Sequence, residues 1–106
     1  MRLRIVASIV AASLFLLRPG YTNAETMRIT IDNLEYAPSS LDARVGDTVE
    51  WLNRDSFTHT ATAKGEWDVT LAPAERARVV LKKAGTVEYF CRFHPNMKGR
   101  IVVRGK

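Results

Sequence analysis

Apolar and polar residues alternate through most of the chain after residue 26. Met27, Ile29 and Ile31 are separated by Arg28 and Thr30, Leu41, Ala43 and Val45 by Asp42 and Arg44, and Val49 and Trp51 by Glu50. The pattern recurs at Trp67, Val69 and Leu71, at Ala77, Val79 and Leu81, at Val87, Tyr89 and Cys91, and at Ile101 and Val103. Side chains of an extended chain point alternately to opposite faces, so each run predicts a strand with one buried face. Turn-forming residues punctuate the runs: Pro38-Ser39-Ser40, Gly46-Asp47, Pro73, Gly85, and Pro95 to Gly99. No helical stripe lasts longer than about two turns. Seven closely spaced strands predict an all-β fold, an antiparallel β-sandwich. Periodicity alone does not give the strand order.

The first 24 residues follow a different pattern. Arg2 and Arg4 precede an almost unbroken apolar run from Ile5 to Leu17, 13 residues long. A membrane-spanning helix needs about 20. A positive start, a short apolar middle and the small-residue site Thr22-Asn23-Ala24 predict an export signal, cleaved after Ala24. Residues 1–24 are thus read as signal peptide and residues 25–106 as one domain in the periplasm, with no stable membrane span after cleavage.

That boundary changes the charge argument. The whole chain has 16 basic and 11 acidic residues, a net of +5. Loss of Arg2, Arg4 and Arg18 leaves 13 basic residues and a net of only +2. This is no polyanion-binding signature, so nucleic acid is not expected as a partner. The 82 residues that remain make a small domain, of the size that often needs a covalent or metal staple. Cys91 is the single cysteine, which excludes an internal disulfide and leaves metal as the staple.

The candidate ligands gather in Cys91-Arg92-Phe93-His94-Pro95-Asn96-Met97, a short loop between two predicted strands. Cys, His and Met recur there at every third residue. Taken singly, Cys91 reads as a small buried hydrophobe, His59 as a loop histidine and Met97 as packing. Together, thiolate, imidazole and thioether suit a soft metal, and copper fits better than zinc, which rarely takes Met. The fourth ligand is assigned to His59, the only other histidine, which follows the strand ending at Asn53. Two His and one Cys in a plane with a weak axial Met describe a blue-copper electron-transfer site. Met27 is a rival axial ligand, but it opens a strand far from the loop. The composition argues against an enzyme: both histidines are already used, and a two-copper centre needs a second Cys. Copper delivery, storage or tolerance remains the alternative to electron transfer.

At this point the chain resembles the cupredoxins, the type 1 blue copper proteins, and within them the amicyanin- and plastocyanin-like members. The resemblance rests on Tyr36-Ala-Pro38, Val45-Gly-Asp-Thr-Val-Glu-Trp51-Leu-Asn53, His59, Gly85-Thr-Val-Glu-Tyr89-Phe-Cys91 and His94-Pro-Asn-Met97-Lys-Gly99. It implies a Greek-key sandwich of seven to eight strands and one copper held by His59, Cys91, His94 and Met97. It further implies a monomeric electron carrier whose redox partners are of the kind of an amine dehydrogenase or a c-type cytochrome. Asn53 resembles the family asparagine that ties the first-His loop to the cysteine loop. Arg92-Phe93 departs from the Thr-Pro of amicyanin-like loops, so that side-chain tie is expected to be lost or replaced by backbone contacts. Phe57, Phe93 and Pro95 are expected to form an apolar docking patch around His94, with a rim of Arg54, Lys64, Arg92, Lys98 and Arg100.

Overall fold

The computed structural model describes residues 23–105. Except for Asn23 and Ala24, the expected signal segment lies outside the described residues. Among the described residues there are nine strands and no helix: β1 (Thr26–Asp32), β2 (Glu35–Ala37), β3 (Ser40–Arg44), β4 (Thr48–Asn53), β5 (His59–Ala63), β6 (Trp67–Leu71), β7 (Arg76–Val80), β8 (Gly85–Phe90) and β9 (Lys98–Arg104). They form two sheets, in the orders β2-β1-β4-β7 and β3-β9-β8-β5-β6. The chain repeatedly crosses between the sheets, which gives the sandwich its closed core.

All seven runs of alternating residues are strands, and the sandwich is as expected. Pairing is mostly antiparallel, but β1 runs parallel to β4 and β3 parallel to β9. The two strands without a sequence signal are β2 and β5. β2 has three residues, too few for a period to show. β5, His-Thr-Ala-Thr-Ala, is buried at every position. Alternation marks a half-buried strand, and a strand covered on both sides has none.

The core lies between the sheets. Ile29, Ile31, Val49 and Trp51 face it from the first sheet, and Ala61, Leu71, Tyr89, Ile101 and Val103 from the second; all are almost completely buried. Burying one such large apolar side chain contributes about 1.5–3 kcal/mol. Trp51 meets the edge of the Tyr89 ring at 5.5 Å, and Tyr89 meets Tyr36 at 4.6 Å. Ala77 lies opposite Trp51 on β7, where a small residue leaves space for the indole. Gly99 lies opposite Tyr89 on β9, and a Cβ there would overlap the Tyr89 ring. The glycine therefore lets β9 run across the face of a core aromatic. Tyr36 donates its hydroxyl proton to the Thr60 carbonyl at 2.5 Å, linking β2 to the start of β5. This anchors the aromatic cluster directly beneath the end of the sandwich where the candidate ligands gather.

Candidate metal centre

Two consecutive turns shape the ligand loop between β8 and β9. The His94 amide donates to the Cys91 carbonyl at 3.3 Å, and the Met97 amide donates to the His94 carbonyl at 2.8 Å. A turn closes over three residues, so the two-residue gaps bring Cys91, His94 and Met97 back at equivalent points of the loop. The Cys91 amide then donates to the Met97 carbonyl at 3.2 Å and continues the β8–β9 ladder. His59, the first residue of β5, comes from the neighbouring strand. Cys91 and His59 are fully buried, Met97 is nearly so, and His94 is half-buried.

The donor atoms converge. One atom each from His59, Cys91 and His94 lie within 4.8 Å of one another. Cys91 Sγ is 3.7 Å from His59 Nδ1 and 3.8 Å from His94 Nδ1. A metal about 2.3 Å from sulfur and about 2.0 Å from nitrogen, at angles of 120°, sets such atoms about 3.7 Å apart; a tetrahedral angle sets them about 3.5 Å apart. Both sulfur–nitrogen edges lie close to these spacings. Met97 is buried at the other end of the same loop, and its thioether is the donor that would distinguish a copper set from a zinc set. Met27 lies opposite Val49, at the far end of β1 and β4 from Asn53, and does not belong to the group.

The residues around the ligands fix their orientation. His59 turns Nδ1 toward Cys91 and places Nε2 2.8 Å from Asp55 Oδ2. A carboxylate on the outer nitrogen fixes the imidazole tautomer and raises its basicity as a ligand. Asp55 is itself held by the amides of Asn33 at 2.6 Å and Leu34 at 2.9 Å. Those two residues form the β1–β2 turn with φ of 56° and 63°. This region is easily adopted by Asn and costly for Leu, so the carboxylate also stabilises the turn. Burial pushes the Asp55 carboxyl up, but the Leu34 and Asn33 amides and His59 outweigh it and hold it below the usual carboxylate range.

The thiol side is held by β5. The Thr60 amide donates to Cys91 Sγ at 3.4 Å, and the Arg92 amide donates to Thr60 Oγ1 at 2.9 Å. Thr60 Oγ1 is 2.9 Å from Thr62 Oγ1, which donates to Asp68 Oδ1 at 2.7 Å. Each hydroxyl has one proton. The Thr62 proton is on Asp68, so Thr60 must donate to Thr62. A single directed chain therefore runs from the Arg92 amide through two hydroxyls to a carboxylate. Asp68 is held below the usual carboxylate range, first by the Thr62 bond, which with the Arg92 guanidinium outweighs the opposing desolvation.

The comparisons with known proteins agree with this geometry. The family model of the cupredoxin-like domain matches residues 4–103. The chain belongs to the cupredoxin-like family. Amicyanin of Paracoccus denitrificans is 34% identical over 71% of this chain and 63% of its own length. This chain thus spans under two thirds of that relative. Plastocyanin of Chlamydomonas reinhardtii is 31% identical over 97% of this chain and 82% of its own length. The solved structure of an oxidized amicyanin variant superposes with a TM-score of 0.69, at 28% identity, covering 74% of this chain and 82% of that one. The cofactor of this cupredoxin is one copper ion, and the four side chains expected from the sequence make an arrangement suited to type 1 copper.

Two features of this cupredoxin change the family picture. As Arg92 in place of Thr leads one to expect, the Asn53 side chain does not tie the His59 loop to the cysteine loop. Its amide donates to the carbonyls of Phe57 at 2.7 Å and Leu71 at 3.0 Å, and its oxygen accepts from the Asp55 amide, so it braces residues 54–58 against the end of β6. Thr60 makes the tie instead, through its own amide and through the Arg92 backbone. The second change concerns the basic rim. Arg92 is paired with Asp68 at 3.3 Å. Arg100 lies opposite Glu88 in the β8–β9 register. Lys64 lies just past the end of β5, about 17 Å from His59 at about 3.3 Å per residue. Arg54 and Lys98 remain. The apolar patch is present: Phe57 and Phe93 are each more than half exposed, and Phe57 lies edge-on to His94 at 6.1 Å. Arg92 stacks over Phe93 at 5.4 Å.

Proposed function

We propose that this chain is a periplasmic electron carrier, not an enzyme, in which His59, Cys91, His94 and Met97 hold a single type 1 copper. The observation that carries the reading is the convergence of the His59, Cys91 and His94 donor atoms within 4.8 Å of one another. Bound copper supplies a one-electron couple between Cu(I) and Cu(II). The chain's residues supply position. Cys91 and His59 are fully buried, which keeps water from the ligand atoms. Asp55 orients His59, Thr60 donates to the Cys91 sulfur, and the double turn sets His94 and Met97. Both donor loops are anchored in one sheet, so the site keeps one geometry through the redox change.

His94 is the ligand that reaches the surface, amid Phe57, Phe93 and Pro95. A redox protein docks there through apolar contact. With Arg92 paired to Asp68, Arg54 and Lys98 are the rim charges left to steer a partner, so the association rate should depend only weakly on salt. An amine dehydrogenase as donor and a c-type cytochrome as acceptor are the pair to test first. Voltammetry of the copper-loaded protein should give one reversible one-electron wave. Binding of Cu(I) with no reversible wave, and rapid transfer of the metal to an acceptor, would refute the carrier and favour copper delivery.

A further inference from the structure

The end of the sandwich opposite the ligands holds a second arrangement, unrelated to copper. Asp47, in the turn between β3 and β4, is a buried carboxylate, 6% exposed. Its Oδ2 accepts the Arg44 amide at 2.9 Å, which shapes the turn. Its Oδ1 accepts the backbone nitrogen of Glu25 at 2.9 Å, from 22 residues earlier in the chain. The Glu25 carbonyl in turn accepts the Thr48 amide at 2.8 Å, just ahead of the β1–β4 ladder. Asn23 and Ala24 are exposed. Glu25 is therefore the first described residue whose backbone is bound into the fold, and the bond before it is the one the sequence marks for signal cleavage.

We propose that cleavage between Ala24 and Glu25 creates a clasp, in which the new α-ammonium of Glu25 pairs with the Asp47 carboxylate and fastens β1 to the β3–β4 turn. The inference rests on the export reading given above. Hydrolysis by a signal peptidase adds one water across the peptide bond, leaving a carboxylate on Ala24 and an amine on Glu25 that is protonated at neutral pH. A neutral amide donor thereby becomes a charged one at the same atom, and charge-assisted hydrogen bonds are about twice as strong as neutral ones. The position is specific. A cut one residue earlier displaces the charge by about 3.8 Å, the distance between successive Cα atoms. A cut one residue later removes Glu25 and both of its backbone bonds.

The charged groups around this site are the Glu25 carboxylate, Asp42, Arg44 and Arg104, which line the same shallow cavity, and Lys82, next to the Leu81 carbonyl that receives the Gly46 amide. The α-ammonium created by the cut has its ordinary range near pH 8. A partnered ammonium titrates above its usual value of about 7.7–8.0. Its stabilisation is complete below that value and lost as pH rises through the higher folded one.

The test begins with the full chain, exported and isolated with copper. Its mass should correspond to an N-terminus at Glu25. Its melting temperature should then fall between pH 7 and 9.5 by about 4–8 °C more than that of Asp47→Asn. Acetylating the α-amine of the unsubstituted protein should remove the same extra fall without altering Asp47, so the test does not depend on the variant folding. An N-terminus at any other residue, or equal pH slopes for all three proteins, overturns the clasp. Either failure leaves the voltammetric wave in place, so the carrier reading is tested separately.

Discussion

Replacing Thr60 with Val tests the hydroxyl chain behind the cysteine. Val keeps the shape of Thr and the backbone amide that donates to Cys91 Sγ, and removes only the hydroxyl. Thr60 is 0% exposed, so no water is available to replace it. The Arg92 amide loses its acceptor at 2.9 Å, and Thr62 Oγ1 loses its donor at 2.9 Å. Leaving one buried polar group unsatisfied costs about 1–3 kcal/mol. A loss of about 2 kcal/mol, the middle of that range, is expected. For a domain of this size that is a fall in melting temperature of about 8–16 °C. Urea unfolding of the copper-free protein reads it directly: the midpoint should fall while the slope stays constant. Thr60→Ser keeps the hydroxyl and should recover most of the loss. A Thr60→Val protein within about 0.5 kcal/mol of the unsubstituted one would refute the directed chain, since surface-like substitutions fall in that range.

Three further outcomes follow from the geometry. Asp55→Asn keeps a polar side chain but loses the charge on His59 Nε2, and should weaken copper binding by about 10–100-fold in a competition titration. Gly99→Ala drives a Cβ into the Tyr89 ring and should lower stability by about 1–3 kcal/mol in urea unfolding, with tyrosine fluorescence changed. Three carboxyls are held below the usual range: Glu50 chiefly by Arg78, with Arg28 assisting against desolvation, Asp68 chiefly by Thr62, and Asp55 by its amides and His59 against burial. The stability they give is complete above the unfolded value of about 4 and lost as pH falls through the lower folded values, because the unfolded chain takes up protons first. Melting of the copper-free protein should therefore decline below about pH 4, and Glu50→Gln should flatten that decline.

The parts of this fold that were legible in the sequence are those with one wet and one dry face. Ile29 and Ile31 sit between Arg28, Thr30 and Asp32, and Ile101 and Val103 are flanked by Arg100 and Arg104, because their strands are half-buried. β5 gave no such signal, since Thr60 and Thr62 are polar and buried at once, satisfied by each other and by Arg92 and Asp68. The ligands were legible because Cys91, His94 and Met97 are rare residues at turn spacing. Their supports were less so. Asn53 stands where the family asparagine makes the tie, but with Arg92 in place of Thr its amide goes to the Phe57 and Leu71 carbonyls instead. The signal that marks Thr60 is its place beside His59, at the start of a Thr-x-Thr pair. Asp55 was missed: an acid four residues before His59 is a weak signal, and its bonds to Asn33 and Leu34 depend on a distant turn. The pairing of Arg92 with Asp68 likewise joins residues 24 apart and has no local pattern.

The most direct test of the central claim is the visible absorption and electron paramagnetic resonance of the exported protein after addition of one equivalent of Cu(II). Convergence of His59, Cys91, His94 and Met97 predicts an intense blue thiolate-to-copper band and narrow copper hyperfine splitting, both lost in Cys91→Ser. A pale spectrum with ordinary hyperfine splitting would contradict it, because these four side chains would then not hold the metal together.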